Sequence, residues 1–188
     1  MRFLPLLFRM KHIKRWGLMW NAREENLSEH TLETALIANL LANIGNEFFG
    51  KNHNVEKITT AAIFHDASEI LTGDLPTPIK YYNEQITTAY KEIERNAEKK
   101  LIETLPKELR PIYESYFIEH ELVKIADKLA AYIKCLKELN AGNKEFSGAE
   151  KNIKKILESE NSPELKYFLE NCIESFMLNL DDITSAIQ

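Results

Sequence analysis

Ile63 to Lys80 reads IFHDASEILTGDLPTPIK. Its first half is apolar enough for a core helix, yet it carries His65 and Asp66 side by side. Adjacent helical residues point about 100° apart, so the pair can meet one ion from the side instead of stacking along one face. The second half changes character. Gly73 is suited to end the helix, Pro76 and Pro78 stiffen the turn that follows, and Asp74 and Thr77 are polar groups on that stiff frame. The stretch predicts a buried helix that presents metal-type ligands beside a rigid loop able to position specificity groups.

Helical periods continue on both sides. Behind Asn54, residues Ile58, Ala61, Ala62 and His65 repeat the i, i+3, i+4, i+7 pattern, which puts His65 on the buried face. Leu32, Leu36, Leu40 and Ile44 recur every fourth position behind Ser28, predicting a helix over 28–47 with Ser28 as its cap. Downstream, Pro78 can open a long helix marked by Ile79, Tyr82, Ile86, Ile93, Ala97 and Leu101 and ended by Pro106. A short helix over 110–116 and a strong one over 119–139 follow. NAGNKEFSG, 140–148, is the clearest loop, and two further amphipathic helices carry Ile153, Ile156 and Leu157, then Leu165, Phe168, Leu169, Cys172 and Phe176. No alternating strand pattern, repeat or linker interrupts this. The expected fold is all-α, a single domain of packed helices over residues 1–188.

Composition narrows the function. The 188 residues are 44% hydrophobic and 28% charged, enough for one sizeable core. Asp and Glu outnumber Lys and Arg by 29 to 24, a formal charge of −5, which argues against a nucleic-acid polymer or an anionic membrane as partner. An anionic substrate must therefore find local positive charge. Cys135 and Cys172 are widely spaced in apolar helical patterns and read as reduced core residues of a cytoplasmic protein. The N-terminal MRFLPLLFRMKHIKRW is broken by Pro5, Arg9, Lys11 and Lys14 and lacks a small-residue cleavage site, so no export signal is expected. No segment has the roughly 20 apolar residues of a membrane span.

A catalytic divalent ion wants three or four protein ligands and an open position, so His65 and Asp66 need help from other helices. His30, in the first turn of the helix over 28–47, and Asp127, inside KIADKLAAYI, are the candidates. A lone buried His is more often a hydrogen-bonded core residue, and a lone Asp a surface ion-pair partner. Asp127, however, lies among Ala126, Ala130 and Ala131 with only Lys128 adjacent, and an unpaired buried carboxylate is costly. A metal removes that cost.

A His, a His-Asp pair and a distant Asp, all on helices, resemble the HD-domain metal-dependent phosphohydrolases. More narrowly, KRWGLMWNAREENLSEHTLE (14–33), HDASEILTGDLPTPIKYYNEQI (65–86) and LVKIADKLAAYIKCLKEL (122–139) are similar to the 5′-deoxynucleotidase YfbR family. The resemblance runs from about Lys14 to Phe146 and more weakly to the end of the chain. It departs at Gly17, where the family often has proline, a change that loosens the backbone beside Trp16.

The resemblance implies hydrolysis of deoxyribonucleoside 5′-monophosphates to deoxynucleosides and phosphate. The residue types suit that reaction, because attack of water on an anionic phosphate needs a metal to lower the water's pKa and spread developing charge. His30, His65, Asp66 and Asp127 would hold one divalent transition metal per chain; mixed N/O ligation does not distinguish Co, Mn, Fe, Ni, Zn or Cu. Glu69, three residues after Asp66, would lie on the same side of a continuing helix and orient or deprotonate the water, or protonate the departing sugar oxygen. Arg15 offers fork-like donors to phosphate, and Trp16 would wall the nucleoside. Asp74, Leu75, Pro76 and Thr77 are expected to contact the nucleotide, with Asp74 accepting from the 3′-hydroxyl and Trp16 crowding a 2′-hydroxyl. His30, Asp66 and Asp127 would also border the substrate.

No base-reading motif is visible, so broad base tolerance is expected, and the resemblance implies a homodimer. The alternatives are an HD hydrolase of triphosphates or signalling nucleotides, a di-iron oxygenase recruiting His12, His53 or His120, and a non-catalytic nucleotide-binding module. None of those three histidines lies in a buried pattern, and an intact ligand set with Glu69 and Arg15 argues against the non-catalytic reading.

Overall fold

The computed structural model describes residues 1–80 and 82–185. Its helices are α1 (Phe3–Leu7), α2 (Leu27–Phe49), α3 (Val55–Phe64), α4 (Glu69–Thr72), α5 (Thr77–Lys80), α6 (Glu84–Glu103), α7 (Arg110–Glu114), α8 (Glu121–Asn140), α9 (Ser147–Ser159), α10 (Pro163–Asn171) and α11 (Leu180–Ser185). Among the described residues the only extended pairing is an isolated antiparallel bridge between Lys14 and Asn26. The fold is all-α, as the periodicity predicts.

The helix caps explain where these elements begin. Asn26, not Ser28, starts α2: its side chain accepts from the Ser28 and Glu29 amides, and Glu29 reaches back to the Asn26 amide in a reciprocal capping box. Asn54 caps α3 through the Lys57 amide, and His120 caps α8 through the Leu122 amide. The long helix expected from Pro78 is instead two pieces. Pro78 lies in the four-residue α5, and Asn83 opens α6 afresh by accepting from the Ile86 amide. Tyr81, between them, lies outside the described residues, as do 186–188. The segment 140–148 is a loop only in part, since Lys144–Phe146 forms a 3-10 turn and Ser147 begins α9.

The central helices are α2 and α8, with α3, α9 and α10 packed around them. The face α2 turns inward carries Ala35, Ile37, Ala38, Leu41 and Ala42, which join Ile58, Ala61 and Ala62 of α3 and Leu122 to Ile133 of α8 in one apolar cluster. Small side chains there let neighbouring helices approach closely. At Gly45 of α2 the packing is also close, and a β-carbon would sit 2.7 Å from the His53 ring and 2.8 Å from the Glu164 carboxylate.

This overturns the leucine stripe expected to define α2. Leu32, Leu36 and Leu40 are 61%, 63% and 42% exposed, and of the four only Ile44 is buried. An exact four-residue repeat identifies an apolar stripe but not which stripe faces the core; here the alanine and threonine stripe wins because it admits α3 and α8. In the next long stripe Ile79, Tyr82, Ile86 and Ile93 are exposed, whereas Ala97 and Leu101 are buried as expected, together with Tyr90 and Ile102 of α6. A second apolar cluster, Phe3, Ala67, Leu101 and Leu105 with Phe64, Tyr113 and Phe117 against it, ties α1 to α6 and α7.

Candidate metal centre

The helix entering IFHDASEILTG stops at Phe64, and His65 is its C-cap. Residues 65–68 form a turn, closed by the Ala67 amide on Phe64 O (3.1 Å) and the Glu69 amide on Asp66 O (3.0 Å), before α4 resumes at Glu69. The ligand pair thus lies on a tight turn between two short helical pieces, where a continuous helix was expected. The turn is fixed from both sides, Ala61 and Ala62 lying in one apolar cluster and Ala67 in the other.

Three separate elements bring the four expected donors together. His30, Asp66, His65 and Asp127 each offer one ligand atom, and these atoms all lie within 4.8 Å of one another. His30 is fully buried in the first turn of α2, with Nε2 3.0 Å from Asp127 Oδ1 and 3.6 Å from Asp66 Oδ2. His65 Nδ1 lies 2.7 Å from Ala62 O and donates to it, which leaves Nε2 to face the group, 3.0 Å from Asp66 Oδ2. Nε2 of His65 is buried without a well-aligned hydrogen bond. An orphaned imidazole nitrogen, a second imidazole and two carboxylates are the donor set a divalent transition metal accepts, so the residues fit such an ion.

The electrostatics are those of charges waiting for a counterion. Burial opposes ionisation of Asp127, but the hydrogen bond and charge of His30, then His65 and Arg15, hold its carboxyl well below the usual range. Burial also opposes the charge on His65, and Asp66 overcomes it, raising the imidazole to about 9.

Glu69 opens α4 and is 5% exposed, with Oε2 buried and unpartnered. Burial first, then the negative charge of Asp66 and Asp74, pushes its carboxyl up to about 9. Gly73 then takes a left-handed turn (φ 75°) that ends α4, a conformation that favours glycine. Asp74, Leu75 and Pro76 follow as half-buried loop residues, whereas Thr77 is exposed and already in α5, not in the loop. The Tyr90 hydroxyl of α6 donates to Gly73 O (3.3 Å) and so anchors the loop base.

Arg15 comes from the N-terminal segment. Its amide donates to Glu25 O (3.0 Å), its Nε to Glu25 Oε1 (3.0 Å), and its Nη1 to Asp66 Oδ2 (3.4 Å). Beside it Trp16 packs on buried Phe146 at 5.2 Å between ring centroids. The left-handed conformation falls on Trp16 itself (φ 57°) and not on Gly17, so the unusual backbone belongs to the aromatic residue. A bulky side chain at positive φ is strained and must be held by its surroundings.

Those surroundings were missed in the sequence. Glu138 is 2% exposed and accepts from the Ala22 amide (2.8 Å), the Arg23 amide (3.1 Å), Asn143 Nδ2 (2.7 Å) and Lys134 Nζ. Lys134 also donates to Arg23 O, and Asn143 to Trp20 O. This buried knot clamps the segment after Trp16 onto α8. Its signal was available: Lys134 and Glu138 stand i, i+4 in an otherwise apolar helix. Burial would raise the Glu138 carboxyl, but Lys134, Asn143 and the two amides outweigh it and hold it down to about 2. A depressed carboxyl stabilises the fold above its unfolded pKa and loses that contribution as pH falls through the folded value. Glu138→Gln, which strands a buried lysine, is expected to cost about 3 kcal/mol in urea unfolding at pH 7. The gap from wild type should shrink between pH 4.5 and 2; an unchanged gap would contradict the clamp.

Of the three candidates for a di-iron centre His12 is exposed, and the other two are used otherwise. His53 Nε2 pairs with Glu164 Oε1 at 3.2 Å, and His120 caps α8. Among the described residues the His30, His65, Asp66 and Asp127 group is the metal-compatible cluster found.

Comparison with known proteins gives a consistent picture. A family model described as 5′-deoxynucleotidase YfbR-like matches residues 2–176. The 5′-deoxynucleotidase YfbR of Escherichia coli (strain K12 / DH10B) is 50% identical over 189 residues, covering 97% of this chain and 95% of that protein. The crystal structure of an HD-domain phosphohydrolase from Listeria innocua superposes with TM-score 0.83 at 22% identity, over 99% of this chain and 96% of that one. The cyanophage S-2L HD phosphohydrolase, solved with dA and one catalytic Zn2+, gives TM-score 0.62 at 22% identity, over 91% and 96%. At those identities the two structures speak for the fold alone.

Proposed function

Because the chain belongs to the 5′-deoxynucleotidase YfbR-like family, we infer that it is a metal-dependent 5′-deoxynucleotidase, hydrolysing deoxyribonucleoside 5′-monophosphates to deoxynucleosides and phosphate. The observation that carries the reading is the convergence of four ligand atoms within 4.8 Å beside a guanidinium. His30, His65, Asp66 and Asp127 hold one divalent transition metal per chain. Once bound, the ion supplies Lewis acidity to the phosphate and lowers the pKa of the attacking water.

The chain's own groups do the rest. Arg15, oriented through Nε by Glu25, turns its remaining N–H groups to the phosphate oxygens. Glu69 takes the proton of the attacking water as the new P–O bond forms. It then returns that proton to the 5′-oxygen as the old P–O bond breaks. Burial and two neighbouring acids make Glu69 a stronger base than an ordinary carboxylate whenever it is ionised, and a bound cation would favour the ionised form. Trp16 walls the nucleoside, Asp74 accepts from the 3′-hydroxyl, and Leu75, Pro76 and Thr77 complete the substrate edge, with His30, Asp66 and Asp127 beneath the phosphate. Broad base tolerance follows from the lack of a base-reading motif.

Residues 1–188 act as one domain, supported by the close succession of Ala61 and Ala62 of α3 in one apolar cluster and Ala67 of the following turn in the other. A cytoplasmic location is supported by two free cysteines, one of them buried. No helix among the described residues is long and apolar enough to cross a membrane. The homodimer has a surface to use in the exposed stripe of Leu32, Leu36 and Leu40 on α2. Leu36→Glu is expected to convert a dimer to monomer in light scattering at micromolar concentration; an unchanged mass would remove α2 from the interface.

The decisive assay is phosphate release from deoxyribonucleotides, ribonucleotides, deoxynucleoside triphosphates and a generic monoester, with protein stripped of metal and reloaded with single ions. Release from deoxynucleoside monophosphates above all others is expected. Release from triphosphates alone would favour the other HD hydrolases, and none with any ion would favour a binding module.

A further inference from the structure

Glu25 has no assigned role, yet it sits where the two halves of the centre meet. It is 8% exposed. One oxygen, Oε1, accepts from Arg15 Nε at 3.0 Å and lies 3.6 Å from Nδ1 of His30. Its backbone carbonyl also accepts from the Arg15 amide. Nδ1 of His30 is fully buried and has no hydrogen-bond partner. A buried ring nitrogen needs one, and a shift of under about 1 Å would close the 3.6 Å gap into a hydrogen bond.

The two histidines then follow one plan. His65 has Nδ1 fixed by the Ala62 carbonyl and Nε2 facing the centre; His30 has Nδ1 facing Glu25 and Nε2 facing Asp127. A carboxylate on the far nitrogen fixes the tautomer and makes the near nitrogen a better ligand. Arg15 needs the same oxygen for a different reason. Its Nη1 lies 3.4 Å from Asp66 Oδ2. With Nε held by Glu25 and Nη1 by Asp66 the guanidinium is fixed at two points, and loss of the Glu25 bond would leave its remaining N–H groups unaimed at a phosphate.

We propose that Glu25 is a positioning residue that, through one carboxylate oxygen, orients both the phosphate-binding Arg15 and the metal-ligating His30. The inference rests on the roles given to those two residues above. It implies a split that a merely structural residue would not produce: the effect on phosphate passes through Arg15, the effect on metal through His30.

The test measures binding directly, so that it does not depend on which nucleotide is hydrolysed. Metal-free wild type, Glu25→Gln, Arg15→Ala and the double variant are titrated with Mn2+ by calorimetry. The Mn2+-loaded proteins are then titrated with inorganic phosphate. Glu25→Gln is nearly isosteric, and circular dichroism melts check that it folds; Glu25→Asp is the conservative rescue. Glu25→Gln is expected to weaken Mn2+ about 10-fold or more and phosphate about 5-fold, with Glu25→Asp recovering part of both. In the Arg15→Ala background the phosphate effect should vanish while the Mn2+ effect persists. Mn2+ and phosphate affinities within twofold of wild type would overturn the proposal, as would a phosphate effect that persists without Arg15. If wild type binds both ions and shows the split but releases phosphate from no deoxynucleotide, the positioning role stands and the assigned reaction falls.

Discussion

Asp127→Asn should lose the ion and about 10³-fold or more in kcat, roughly 4 kcal/mol of barrier. Asp127 Oδ1 sits 3.0 Å from His30 Nε2 at the point where α2 and α8 converge. An amide of the same size keeps the packing but gives the ion a neutral oxygen in place of a charged one. The ion then keeps only one of the two negative charges its ligands supplied, and its affinity falls. Metal content after desalting, measured by mass spectrometry, should fall with activity. A variant that kept both would remove Asp127 from the ligand set.

Glu69→Gln should behave in the opposite way for metal and alike for rate. Its expected loss is about 10²–10⁴ in kcat, with metal content unchanged and KM little altered, because proton transfer is needed only in the transition state. Glu69 is buried, its Oε2 has no partner, and its carboxyl is pushed up to about 9 by burial and by Asp66 and Asp74. Because the folded state holds this proton more tightly than the unfolded chain, ionisation costs stability increasingly as pH rises from about 4.5 towards 9. Replacing the acid by an amide removes that cost. The metal-free variant should therefore melt at or above the wild-type temperature at pH 8. Loss of metal or of stability would show that Glu69 supports the centre instead of acting in proton transfer.

Much of the centre was legible because each chemical oddity lay within a local pattern. His65-Asp66 stood out inside an apolar run, and Asp127 stood out as an acid among alanines with only Lys128 adjacent. Glu25 was harder: it sits in REEN, beside another glutamate, and nothing local distinguishes the acid that turns inward from the one that pairs with Lys14 at 2.7 Å on the surface. Lys134 and Glu138 were legible in principle, since an ion pair on an apolar stripe has to be satisfied by something distant. What satisfies it, the backbone of Ala22 and Arg23, is more than 100 residues away in sequence.

The sequence by itself determined the helical class, the starts of α2 and α3 to within two residues, the four side chains that cluster and the turn after Gly73. These follow from short-range physics: side-chain periodicity, reciprocal hydrogen bonds at helix ends, and the cost of burying an unpaired charge. Only the tertiary structure decided the rotation of α2, the break between α5 and α6, and the inward Glu25. The leucines of α2 and the alanines beside them are both apolar stripes, and choosing between them depends on how closely α3 and α8 can approach, which no local pattern contains.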